Sequence, residues 1–109
     1  MIALQADGSG MYTLQGLWTQ ARERLDVVTV ILANRRYAIL HGEFRGVGAG
    51  TPGRNARRML DLDDPALDWV KMAEGMGVEA ARTATIAGFN DLLGAACARS
   101  GPFLIEAVI

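Results

Sequence analysis

Apolar positions along this chain follow two rhythms. Near-continuous runs at 2–6 (Ile-Ala-Leu-Gln-Ala), 27–33 (Val-Val-Thr-Val-Ile-Leu-Ala) and 103–109 predict strands, the second β-branched throughout as a strand buried on both faces should be. Between them, apolar residues recur at spacings of three and four. Leu14, Leu17, Trp18, Ala21 and Leu25 predict a helix over Thr13 to Arg24, after a loop at 7–11. A short helix is expected from Tyr37 to Phe44. The stretch Gly46 to Arg58, rich in Gly and Arg, predicts a mobile loop. Asp64-Pro65 reads as N-cap and first helical residue of a helix carrying Leu67, Val70, Met72, Ala73 and Met76, stopped by Gly77. A strand near Val78 to Ala81, a helix capped by Thr85 and running to Arg99, and a break at Ser100-Gly101-Pro102 complete the order. Strands alternate with helices, so the expected class is α/β: three α/β/α layers around a mostly parallel sheet.

That architecture turns two polar clusters into one site. Asp7-Gly8-Ser9 follows the first strand and Asn34 follows the second, with one helix between. Parallel strands joined by a helix carry their C-terminal ends on one edge, and open α/β sheets bind ligands along that edge. Asp7 and Asn34 would therefore meet, offering hard oxygens of the kind Mg²⁺ prefers, and Mg²⁺ commonly completes its shell with phosphate oxygens. Gly8, Ser9 and Gly10 give a backbone that a phosphate could approach. The pair reads as a Mg²⁺–diphosphate site. An Asp-Gly at a strand end is by itself only a turn, and the second strand end is what lifts it above that.

Composition narrows the remaining classes. At 109 residues, half of them hydrophobic, the chain suits one domain with a real core. A net charge of −1 gives no case for nucleic acid or an anionic membrane surface. Cys97 is the only cysteine, so no disulfide framework exists and a reducing compartment fits. No leader-like segment or long uncharged stretch is present, and a soluble, cytoplasmic protein is expected.

The pattern Ala6-Asp7-Gly8-Ser9 … Ala33-Asn34 resembles the thiamine diphosphate signature, which opens Gly-Asp-Gly and closes with Asn-Asn. Tyr12 to Thr19, the turn Asn34 to Leu40, the segment Pro65 to Val78 and the ending Gly101-Pro102-Phe103-Leu104-Ile105-Glu106-Ala107-Val108 are similar to acetolactate synthase large subunits and benzoylformate decarboxylases. The similarity covers essentially the whole chain. Ala6 stands in place of the first Gly and Ala33 in place of the first Asn.

The resemblance implies a thiamine diphosphate-binding fold and Mg²⁺ held by Asp7, Asn34 and the main-chain carbonyl of Arg36. It places Gly8 and Ser9 near the diphosphate, and Tyr37 and Ala38 beside the cofactor. It implies a parent enzyme that decarboxylates or ligates 2-keto acids, with residues 1–109 as part of its C-terminal diphosphate-binding domain. The family's activating Glu comes from another domain of a partner subunit, so a homo-oligomer or a partner chain is implied. A first strand at the very start of the chain reads as truncation, from a cut chain, a split gene or a decayed one. The alternative is a non-catalytic module that keeps the fold as a structural or interaction partner.

Other features have plainer readings. Gly46-Val47-Gly48-Ala49-Gly50 follows a helix rather than a strand, which rejects a dinucleotide fingerprint. Arg45, Arg54, Arg57 and Arg58 read as a solvated loop in preference to an anion clamp. His41, the only histidine, reads as solvent-facing, and no general base is discernible. Leu40 and Glu43 line the substrate pocket by analogy, and Trp18 and Trp69 are expected in the core.

Overall fold

A computed structural model describes all residues, 1–109. The four strands are β1 (Ile2–Ala6), β2 (Val28–Ala33), β3 (Glu79–Thr83) and β4 (Phe103–Val108). They form one sheet in the order β1-β2-β4-β3, and every pairing is parallel. The strands with the longest apolar runs, β2 and β4, lie inside, where both faces are covered. The connection from β2 to β3 passes over the place that β4 later fills.

Helices α2 (Gly16–Arg22) and α5 (Trp69–Gly75) cover one face. Leu17 of α2 and Trp69 and Ala73 of α5 pack with Ile31, Val78 and Leu104. Full burial of a side chain as large as Trp69 contributes ~2–3 kcal/mol. Helix α6 (Ile86–Cys97) covers the other face, where Ala96 meets Val28, Val30 and Ile105, with Phe89, Leu92 and Leu93 alongside. The strand register explains this division: Ile31 pairs with Glu106 and Val30 with Ile105, so alternate residues serve opposite layers. The three-layer α/β/α architecture expected from the sequence is present. Its α6 side is incomplete, however: β1 pairs Ile2 with Val28 and Leu4 with Val30, yet Leu4 is 65% exposed.

Several boundaries differ from expectation for identifiable reasons. The segment after β1 is a short helix, α1 (Asp7–Gly10), continued by a 3₁₀ turn at Met11–Thr13 before α2 begins. The broken axis takes Trp18 out of the apolar stripe, leaving it 53% exposed with the Arg22 guanidinium over its ring. Helix α3 spans Ala38–Gly46. The supposed loop beyond it contains α4 (Arg54–Leu60), whose Arg and Ala content favours helix despite the preceding glycines. Asp64-Pro65 is a turn closed by a bridge between Asp63 and Ala66. The cap of α5 is instead Asp68, whose carboxylate accepts from the Lys71 N–H at 3.1 Å. Gly77 follows α5 at φ 82°, a left-handed value suited to a residue without Cβ. Thr85 caps α6 as expected, accepting from the Gly88 N–H at 3.1 Å.

Candidate functional site

The ends of β1 and β2 are adjacent, because Ala6 pairs with Leu32. Asp7 is the first residue of α1 and only 2% exposed. Its Oδ1 accepts from the Gly8 N–H at 2.9 Å and its Oδ2 from the Arg35 N–H at 2.6 Å. The second bond joins the two strand ends across 28 positions of sequence. No Lys, Arg or His pairs with this carboxylate.

The turn after β2 is built by local hydrogen bonding. Asn34 Oδ1 accepts from the Arg36 N–H at 3.1 Å, an Asx turn that encloses Arg35 at φ 57°. The turn is then clamped from outside. Arg35 O accepts from the Leu62 N–H at 2.7 Å, and the Tyr37 N–H donates to Leu60 O at 2.8 Å. Arg36 and Asp61 form an antiparallel bridge between these two bonds. Residues 60–62, which carry no ligand signature, thus hold the turn that carries Asn34 and Arg36.

The remaining sequence-derived site residues fall around this point. Gly8 is buried beneath the Tyr37 ring: a Cβ added there would stand 2.6 Å from Tyr37 Cε1. At Gly10 a Cβ would stand 2.7 Å from Trp69 Cη2. Gly10 is therefore required by the packing of the fully buried Trp69, while a side chain at Gly8 would have to shift the half-buried Tyr37 ring. The Ser9 hydroxyl accepts from the Ala6 N–H at 3.2 Å and reaches Gln5 Oε1 at 3.0 Å, so it is turned toward the strand. Tyr37 is half-buried, while Ala38 opens α3 on the exposed side.

His41 is not the free surface residue expected. Its Nε2 lies 2.8 Å from Asp61 Oδ1, and its side chain is only 20% exposed. Its partner is 20 residues away, a pairing that no local pattern announces. His41, Asn34, Arg36, Arg57 and Asp61 share a cleft of about 550 Å³ at the carboxyl edge of the sheet. Arg57 is oriented there by donation from its Nε to Pro52 O at 3.1 Å. Leu40 and Glu43 are exposed on α3.

A resident divalent cation can be tested against these residues. No group of three or more His, Cys, Asp and Glu side chains converges anywhere in the chain. A site for a borderline metal such as zinc, which needs several of those ligands, is therefore not supplied. What the strand ends supply is one buried carboxylate with no cationic partner, next to a carboxamide and a carbonyl-bearing turn. That donor set suits Mg²⁺, which takes one or two carboxylates and leaves its other positions to water and phosphate. The residues fit.

An open parallel sheet with a buried Asp and an Asn turn at adjoining strand ends defines an α/β cofactor-binding domain. The chain belongs to the family of thiamine pyrophosphate enzymes as their C-terminal TPP-binding domain, whose family model matches residues 1–107. It is 53% identical, over 100% of its length, to a Mycobacterium tuberculosis protein provisionally named acetolactate synthase large subunit IlvX, covering 21% of that protein. Benzoylformate decarboxylase of Pseudomonas aeruginosa is 37% identical over 97% of this chain and 19% of its own. Among solved structures, the thiamine diphosphate-dependent 4-hydroxybenzoylformate decarboxylase of Rhodococcus jostii RHA1 superposes with a TM-score of 0.86. It is 35% identical across 97% of this chain and 19% of its own. The 109 residues thus span about a fifth of the length of these relatives.

Proposed function

We propose that this chain anchors the diphosphate end of thiamine diphosphate through Mg²⁺, as part of an acetolactate synthase-like or decarboxylase-like enzyme acting on 2-keto acids. One observation carries the reading: the Asp7 carboxylate is buried at the ligand edge with no cation of its own. A buried anion compensated only by two N–H dipoles favours a nearby dication strongly. Asp7, Asn34 and the Arg36 carbonyl would hold the metal. Gly8, Ser9, Tyr37 and Ala38 would border the cofactor, Ser9 after turning its hydroxyl away from Gln5.

Bound thiamine diphosphate supplies the electron sink for losing CO₂ from a 2-keto acid and for onward carboligation. This chain's part is to fix the diphosphate and one wall of the cleft. The resemblance assigns the activating carboxylate to another domain of a partner subunit, and in this reading that subunit supplies it. The lone Cys97 suits a cytoplasmic setting.

Isothermal titration with Mg²⁺ and thiamine diphosphate tests the reading. Asp7→Ala is expected to weaken their joint binding by at least about a hundredfold, beyond what loss of an outer-shell partner causes. Asn34→Ala should weaken it too, whereas Asn55→Ala, on α4, should not. Unchanged affinity in Asp7→Ala would remove the metal assignment. Equal losses at Asn34 and Asn55 would place the effect on folding.

A further inference from the structure

We infer that the His41–Asp61 pair is a latch that sets the geometry of the cation-binding turn, making both of them positioning residues. The inference rests on the Mg²⁺ reading above. The turn holding Asn34 and Arg36 needs more than its own Asx bond, because Arg35 sits at φ 57°, a left-handed conformation that strains a non-glycine residue. Something must hold it there. Inside, the Asp7 carboxylate accepts the Arg35 N–H at 2.6 Å. Outside, residues 60–62 grip the turn through the Leu62 N–H to Arg35 O and the Tyr37 N–H to Leu60 O.

The outer grip needs its own support. Asp61 is at its centre, bridged to Arg36, and follows the last residue of α4. The only side-chain bond Asp61 makes is to His41 Nε2 at 2.8 Å. His41 stands one turn into α3, where its N–H donates to Tyr37 O at 3.1 Å. The chain therefore closes a ring: turn, α3, His41, Asp61, strand-like segment 60–62, and back to the turn. Without that contact the polar ties from 60–62 to the turn would be main-chain bonds alone. Partners one step removed from a metal commonly set its affinity by orienting the groups that touch it.

The test uses the 109-residue chain with Mn²⁺ as the probe, read by electron paramagnetic resonance in the presence of thiamine diphosphate, together with amide hydrogen exchange on the cofactor-free protein. His41→Phe and Asp61→Ala are expected to raise the Mn²⁺ dissociation constant about tenfold or more. In the same variants the amides of Arg35, Tyr37 and Leu62 should exchange about tenfold faster while those of β2 and β4 stay unchanged. His41→Gln, whose amide can still donate to Asp61, should restore both readouts. Unchanged affinity and unchanged exchange at the three amides in His41→Phe would overturn the inference. So would exchange that quickens uniformly across the sheet, since that marks general loosening. If the unaltered chain takes up no Mn²⁺ while the three amides still respond, the failure lies in the cation reading, and the inference falls with it.

Discussion

Two carboxylates are almost completely withdrawn from water in this molecule, and they are compensated in opposite ways. Glu106, on the inner strand β4, is 1% exposed and lies 2.9 Å from Arg82 Nη2, which also meets Asp68 Oδ1 at 2.9 Å. Arg82 supplies Glu106 with its countercharge at that contact. Glu106 is the foremost cause that raises the Arg82 pKa, with burial opposing. Asp7 has well-formed hydrogen bonds and no countercharge at all. The chain completes the charge balance around Glu106 and leaves it open at Asp7. A buried charge without an internal partner is costly, which makes Asp7 the candidate for an external one.

The contrast can be broken by mutation. The largest effect is expected from Arg82→Met, which leaves Glu106 buried without a cation. Urea unfolding should show a loss of about 2 kcal/mol, less than for a sealed pair because Arg82 is itself half-exposed. Glu106→Gln should cost about 1 kcal/mol. Asp7→Asn sets an amide NH2 against one of two N–H donors while relieving an unpaired buried charge, so in metal-free buffer it should cost no more than about 1 kcal/mol. A loss at Asp7 well above that at Glu106 would mean that Asp7 is held mainly for structure. Arg35→Gly should stabilise by about 0.5 kcal/mol, relief of the left-handed backbone slightly exceeding the added freedom of the unfolded chain.

The smallest effect concerns pH. The Lys71 N–H, foremost, and Arg82 and Lys71 charges hold the Asp68 pKa below its ordinary 3.8 against the opposing pull of burial. A lowered folded-state value means that this cap stabilises fully above that ordinary value and is lost as pH falls through the folded one. The Tm difference between the unaltered chain and Asp68→Ala should accordingly be constant above about pH 5 and shrink below about pH 4. A difference that grows on acidification would reverse the sign of the shift.

Much of the sheet was legible because its signal is local. The β-branched run at 27–33 and the Thr85 cap each declare an element within a few residues. Elements whose identity depends on neighbours were not. The α1 break hides within a stripe that reads as one helix, and it is the bend at 11–15 that sends Trp18 outward. Pro65 offered a helix start, but the bridge from Asp63 to Ala66 makes it a turn, and the cap moved to Asp68. At the candidate site, the meeting of the Asp7 and Asn34 segments could be reasoned from parallel topology. The His41–Asp61 contact could not, because it depends on where α4 ends relative to α3. Glu106 reads in sequence as one polar position of a terminal strand, since nothing local marks a charge as buried.

The tight seating of Gly8 under Tyr37 and of Gly10 under Trp69 bears on how this edge would look in a mutational screen. A library scored by cofactor retention alone would rank both glycines beside Asp7, because any side chain there must displace an aromatic ring. A parallel score for abundance would separate them: variants at Gly10, and to a lesser degree at Gly8, should fall in both selections, while Asp7→Asn should persist as protein and disappear only as binder.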